Sequence, residues 1–188
     1  MSPDWQACSD GELAALSQAG QQAAFTEIMR RYRDPVYRLV RGYIGDADDA
    51  LDVTQDIFAA AFQNLARYDR TRPLRPWLSR IAINKCRDWN RRARVRRMIS
   101  FFTPGSASTI EAIVDDAPGA ETATGARMEL SRVEGAITRL PPPLREALLL
   151  RTIEGLSQAE AAEALGVTEK TVETRLYRAR KNLSEILD

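Results

Sequence analysis

The chain has 188 residues, 44% apolar and 28% charged, the proportions of a soluble globular protein with one large or two small domains. Its 27 basic and 26 acidic residues leave a net charge of +1, histidine is absent, and Cys8 and Cys86 are the only cysteines. The missing histidine excludes Ser-His and Cys-His nucleophiles and mixed Cys/His zinc sites. Two distant cysteines make no disulfide framework, which fits a reducing cytoplasm. No apolar run approaches the ~20 residues of a membrane span. The N-terminus, with Asp4 and Glu12 and no apolar core, is not a signal peptide.

Ser9-Asp-Gly-Glu12 reads as a capping box opening a short helix that carries Leu13 and Leu16. After Gly20, the spacing of Phe25, Ile28, Met29 and Tyr32 predicts a second helix ending near Tyr32. Asp34-Pro35 then reads as an N-cap with proline at the first helical position, starting a third helix with Val36, Leu39, Val40 and Tyr43 inside and Gly45 at its end.

The next helix is expected from Asp46 to about Tyr68. Its predicted buried stripe is Ala50, Leu51, Thr54, Ile57, Phe58, Ala61, Phe62 and Leu65. Asp46 to Asp56 contains five acids and no base. Acids in a first turn complement the helix dipole, but Asp52 and Asp56 lie beyond it, so a protein-binding patch is at least as good a reading. Tyr68 to Pro76 is a polar, proline-punctuated loop, followed by a helix from about Pro76 through Ile81, Ala82, Cys86 and Trp89. That helix ends in Lys85 to Arg97, with seven basic residues against one acid. With Arg67, Arg70, Arg72 and Arg75 in or beside the loop, this density suits a strip of nucleic-acid phosphates. Trp77 is read as a core residue ahead of a base-stacking one. Cys86, a small apolar residue on a helix, is read as core.

Thr103 to Ala126 is rich in Ser, Thr, Ala, Gly and Pro, has no basic residue, and is expected to be a largely disordered linker. Ile110, Ile113 and Val114 are its reservation, as docking residues. Helical spacing returns with Met128, Leu130, Val133, Ile137 and Leu140. Leu140-Pro-Pro-Pro143 breaks it, and Leu144 to Ile153 is an apolar helix. The stretch that follows is the most specific. Ser157 and Glu160 form a second capping box, Ala161, Ala162 and Leu165 offer a close-packing face, and Gly166 supplies the turn. Thr168 caps a final helix with Val172, Leu176 and Leu183 inside. This is a helix-turn-helix, whose basic outer face suits a major groove. The expected fold class is all-α, as two small helical domains: residues 1–98, a flexible linker 99–126, and residues 127–188. Two readers on one tether raise each other's effective concentration on DNA.

Leu51-Asp-Val-Thr-Gln-Asp-Ile-Phe58, Arg75-Pro-Trp-Leu-Ser-Arg-Ile-Ala-Ile-Asn-Lys-Cys-Arg-Asp-Trp-Asn-Arg-Arg92, Leu140-Pro with Leu144-Arg-Glu-Ala-Leu, and the helix-turn-helix follow in that order. Together they resemble an extracytoplasmic-function (group IV) sigma factor of bacterial RNA polymerase, in the sigma-70 family. The small size and the lack of an acidic N-terminal extension fit that minimal group. The resemblance implies a transcription initiation factor without catalytic, cofactor or metal sites. It implies core polymerase as partner, through the clamp of the largest catalytic subunit and the flap of the second largest, together with promoter DNA. Leu51, Asp52, Gln55 and Asp56 match the clamp-binding helix. Tyr68, Arg70, Arg72, Arg75, Trp77, Arg80, Asn84 and Lys85 match the −10 reader, which flips a non-template base into a pocket. Arg151, Lys170, Thr171, Thr174, Arg175, Tyr177 and Arg178 match the −35 reader. The linker would thread toward the RNA exit path.

Lys170 stands where many relatives have glycine and Glu173 where many have a base, so the −35 preference is not transferable. The absence of a second tryptophan beside Trp77 implies stricter promoter choice. The family also implies an anti-sigma factor, often membrane-anchored, which would hold this cytoplasmic protein at the inner membrane without inserting it. Two rivals are weighed against this reading. A stand-alone helix-turn-helix regulator leaves the acidic patch unexplained. A nucleic-acid enzyme would use Asp48, Asp49, Asp52 and Asp56 as a metal site.

Overall fold

A computed structural model describes residues 4–102 and 121–188, in which every regular element is a helix. In the N-terminal unit these are α1 (Asp10–Gln18), α2 (Gln22–Ile44), α3 (Ala47–Asn64), a single 3-10 turn (Leu65–Arg67) and α4 (Leu74–Phe102). In the C-terminal unit they are α5 (Glu121–Arg139), α6 (Pro142–Thr152), α7 (Gln158–Leu165) and α8 (Glu169–Leu187).

The capping box of α1 forms as its sequence dictates: Ser9 Oγ accepts from the Glu12 amide, and Glu12 Oε2 accepts from the Ser9 amide at 2.7 Å. These bonds satisfy two of the donors a helix start leaves open, and they hold the Glu12 carboxyl below its ordinary pKa. α2 departs from expectation. The chain does not restart at Asp34 but runs as one helix of 23 residues with Pro35 inside it. An interior proline costs about 3 kcal/mol. Against this, Phe25 and Ile28 before it and Val36, Leu39, Val40 and Tyr43 after it are all buried on one stripe. Each large apolar side chain contributes ~1.5–3 kcal/mol when buried, so breaking the helix would forfeit more than the proline costs.

α3 is capped by Asp46, whose carboxylate accepts from the Asp49 amide at 2.9 Å. Its buried stripe is Ala50, Val53, Thr54, Ile57, Phe58 and Ala61. Two expected core residues are not buried: Leu51 is 45% exposed and Phe62 is 51% exposed. Positions 51, 55 and 62 share one helix face, rotated away from the stripe that meets α2 and α4. The Phe62 ring instead covers the edge of Phe25, with centroids 5.0 Å apart. α4 begins at Leu74, two residues before the expected start, because Pro76 falls in its first turn where a missing N–H is harmless. Cys86 is fully buried, and burial pushes its thiol pKa up, in keeping with a core role. α4 continues through the arginine run to Phe102, and α5 starts at Glu121 rather than Arg127. The expected linker therefore overlaps two helix ends; its middle, with Ile110, Ile113 and Val114, lies outside the described residues.

α6 to α8 form as the sequence predicts. Ser157 and Glu160 exchange both capping bonds, Thr168 caps α8 through the Thr171 amide, and Gly166 adopts φ 67°. Val172 and Leu176 are buried and Leu183 half-buried, against α6 and α7. The two units pack directly on each other. The second half of α2 meets α5 and α6, and the first part of α4 meets α7. At Gly45, φ is 90° and a Cβ would stand 2.8 Å from the Thr138 methyl, so a side chain there is excluded twice.

Candidate functional site

Three surfaces carry the side chains singled out by the sequence. The first is the outer face of α3. Leu51, Asp52, Gln55 and Asp56 are all exposed along its first three turns. None of Asp48, Asp49, Asp52 and Asp56 has an ion pair among the described residues. Asp49, Asp52, Gln55 and Asp56 border a hollow of about 360 Å³ whose opposite wall is Trp89, Arg92 and Arg96 of α4. Among the described residues no group of three or more acids and cysteines is placed to hold a metal ion.

The second surface is the loop before α4 and the first four turns of that helix. Tyr68 is buried, its hydroxyl donates to the Arg72 carbonyl, and its ring lies 4.8 Å from that of Trp77. Burial, with Asp10 and Asp69 nearby, raises the Tyr68 phenol to about 12. Tyr68 thus braces the loop from inside. Asp69 accepts from the Thr71 amide at 3.0 Å and hydroxyl at 2.7 Å, tightening the turn and lowering its own pKa. Arg70, Arg72, Arg80 and Asn84 are exposed, whereas Arg75, Trp77 and Lys85 are half-buried.

The third surface is α8 with the end of α6. Lys170, Thr174, Tyr177 and Arg178 are exposed and Thr171 and Arg175 half-buried; Tyr177 is 71% exposed. Lys170 Nζ sits 3.0 Å from Glu173, so the two unusual residues of this helix neutralise each other. Thr174 Oγ1 donates back to the Lys170 carbonyl at 2.9 Å. Arg151 turns inward, donating to the Leu156 carbonyl across the bend into α7.

The chain's relatives fit these surfaces. Residues 28–96 match the family described as Sigma-70 region 2, and residues 130–183 match Sigma-70, region 4. The chain is 39% identical over 181 residues to RNA polymerase sigma factor CnrH of Cupriavidus metallidurans, spanning 96% of this chain and 95% of that protein. It is 32% identical to ECF RNA polymerase sigma factor SigM of Mycobacterium tuberculosis, spanning 95% of this chain and 85% of that protein. The fold is similar to the solved structure of CnrH in complex with the cytosolic domain of CnrY. The TM-score is 0.71 at 35% identity, over 95% of this chain and 97% of that one. This chain belongs to the ECF RNA polymerase sigma factors.

In this sigma factor the region 2 match ends inside α4, and the region 4 match covers most of α5 and all of α6 and α7. One group of residues received no role in the sequence reading, which quoted Arg145 and Glu146 only within the Leu144-Arg-Glu-Ala-Leu stretch and passed over Glu154. Glu146 and Glu154 are 2% and 1% exposed, and each is bound by an arginine of the N-terminal unit. Arg145 donates to the Tyr43 carbonyl at 2.7 Å, and its guanidinium lies 5.0 Å from the Tyr43 ring centroid. The available signal was two adjacent charges and one later acid in an otherwise apolar helical stretch. Burial of a charge implies a partner, but nothing local says which.

Proposed function

We propose that the exposed face of α3 docks this sigma factor on core RNA polymerase, with the two basic surfaces reading the two promoter elements. The carrying observation is the contrast along α3: Leu51, Asp52, Gln55 and Asp56 are exposed and outside every ion pair of the described residues, while the opposite stripe is core. An apolar residue and acids left uncovered on one edge suit a protein partner of opposite charge. Arg70, Arg72, Arg75, Arg80, Asn84 and Lys85 hold the non-template strand at −10, with Trp77 at the base pocket and Tyr68 shaping the loop from beneath. Thr171, Thr174, Arg175, Tyr177 and Arg178 face the −35 element, Arg151 sets the α6–α7 bend, and Lys170 is shared between Glu173 and DNA. The units follow the boundaries 1–98, 99–126 and 127–188, and the middle segment runs toward the RNA exit path.

The factor works in the cytoplasm and performs no catalytic step itself; no described helix is long and apolar enough to cross a membrane. The structure of CnrH with the cytosolic domain of CnrY supports a comparable anti-sigma peptide as a further partner here.

Run-off transcription with bacterial core polymerase on a pool of promoters tests the docking face. Asp52→Ala with Gln55→Ala should abolish specific starts while leaving helicity and thermal midpoint unchanged. Undiminished starts would remove the face from polymerase docking. Tight duplex binding without any polymerase-dependent start would favour a stand-alone regulator.

A further inference from the structure

α1 lies outside both family matches, the first of which begins at residue 28. It nevertheless meets the loop before α4 near both of its ends. At one end, half-buried Gln18 donates through Nε2 to the Leu65 carbonyl at 2.8 Å and to the Tyr68 carbonyl at 3.0 Å. A carboxamide nitrogen has two protons, and both are spent here. The two carbonyls bracket the 3-10 turn that follows α3, and the Tyr68 amide closes the same turn on the Leu65 carbonyl at 2.9 Å. About 10 Å back along the helix, Gly11 approaches the loop so closely that an added Cβ would stand 3.3 Å from the Arg70 carbonyl oxygen.

A helix of 9 residues is marginal by itself, but α1 is fixed to α2. Arg31 pairs with Asp10 at 3.1 Å, and its guanidinium also donates to the Trp5, Gln6 and Cys8 carbonyls. The Tyr32 hydroxyl donates to Asp10 as well, and Leu13 and Ala14 are fully buried. The bonds Asp69 makes to Thr71 stay within the loop, whereas those of Gln18 tie the loop to the body of the N-terminal unit.

We infer that Gln18 is a positioning residue for promoter reading: its amide sets where the loop leaves α3 and so holds Arg70 and Trp77 in register for the −10 base. The path is short. The carbonyl that Gln18 holds belongs to Tyr68, whose ring lies tilted on Trp77 at 4.8 Å and whose hydroxyl donates to the Arg72 carbonyl. A shift of the Tyr68 backbone therefore moves the base pocket and the far side of the loop together. Selection among bases needs rings and donors held within a fraction of an ångström. This rests on the −10 assignment of Tyr68, Arg70 and Trp77 made above, and it adds a residue one layer behind that surface.

Two measurements on the full chain test this. Holoenzyme with bacterial core polymerase is assayed by run-off transcription on templates whose −10 bases are randomised, and amide exchange of the free chain is followed by NMR. Gln18→Met keeps length and helix propensity but cannot donate. It should speed exchange of the Tyr68, Thr71 and Arg72 amides about fivefold, the factor for one modest hydrogen bond, and leave the Val172 amide unchanged. It should also lower the preference for the favoured −10 base over the others by about the same factor. Gln18→Glu has the same shape but turns an acceptor toward two carbonyls, and should lose at least as much; parent-like preference in that variant would overturn the inference. Starts reduced equally on every −10 sequence, with the preference intact, would make Gln18 a stabilising residue only and overturn it too, as would unchanged exchange in the loop. Arg70→Ala separates this inference from the reading beneath it. If that variant leaves the −10 preference unchanged, the −10 assignment fails and the inference with it. If it changes the preference and Gln18→Met does not, the inference alone is overturned.

Discussion

The acids of α3 and those of α6 and α7 are the same chemistry in opposite settings. Asp52 and Asp56 stand in solvent outside the ion pairs of the described residues, whereas Glu146 and Glu154 are almost fully covered and face arginines from a distant part of the chain. The first pair costs the fold little and is available to another molecule. The second is costly to bury and is tolerated only because a partner lies across the junction. The lesson is that a cluster of charge says little until its burial is known. The exposed cluster was visible as a block in sequence, while the buried one was not.

Substitutions along α3 sharpen this contrast most. Ile57→Ala, at a fully buried position, should cost about 3 kcal/mol in urea-monitored unfolding. Leu51→Ala, two turns away on the exposed edge, should stay within about 0.5 kcal/mol of the parent yet lower polymerase-dependent transcription. A large stability loss at Leu51 would make that face part of the core. Next in size, Arg87→Ala should cost about 2 kcal/mol in the same assay. That is below the value for a fully buried pair, because Arg87 is itself 42% exposed. Ser157→Ala removes the cap of α7 and should lower stability by about 1 kcal/mol; circular dichroism melting would register it as an earlier midpoint.

The smallest effect is confined to acid. Arg30 and Arg31 hold the Glu27 carboxyl at about 2, against an ordinary 4.5. As pH falls from neutrality, the unfolded chain takes up this proton near 4.5 and the folded chain only near 2. The stability Glu27 supplies is therefore complete above pH 4.5 and is lost between 4.5 and 2. Glu27→Gln should flatten the dependence of the unfolding midpoint on pH in that window; an unchanged slope would show that the two arginines do not set its titration.

Much of the fold was legible because its signals are local. Ser9 with Glu12, Ser157 with Glu160, Gly166 and Thr168 each act within one turn, and each marks the boundary it implied. The continuous α2 was not legible, since Pro35 is a strong local breaker and only the long-range burial of Val36, Leu39 and Tyr43 outweighs it. Phe62 was misplaced for a related reason. A stripe drawn with eight members is wider than the face that α2 and α4 cover, and an aromatic at its edge stays in solvent. At the candidate surfaces, the acids of α3 and the basic residues of the loop, α4 and α8 were readable as blocks of charge, whereas Asn84, Thr174 and Tyr177 were placed only by the family resemblance. The inward turn of Tyr68 and Arg151, and the grip of glutamates on Arg72, Arg75 and Arg87, depend on contacts between residues far apart in sequence.

The seating of Cys86 gives this chain a built-in clock. Its thiol has no solvent exposure, and Glu146, Arg145 and Tyr43, which meet at the junction of the two units, are close enough to influence or be influenced by it. Cys8 is half-exposed. A thiol reagent will therefore modify Cys8 at once and Cys86 only during excursions that uncover the middle of α4. The slow phase of that labelling times how often the molecule breathes there, with no residue changed.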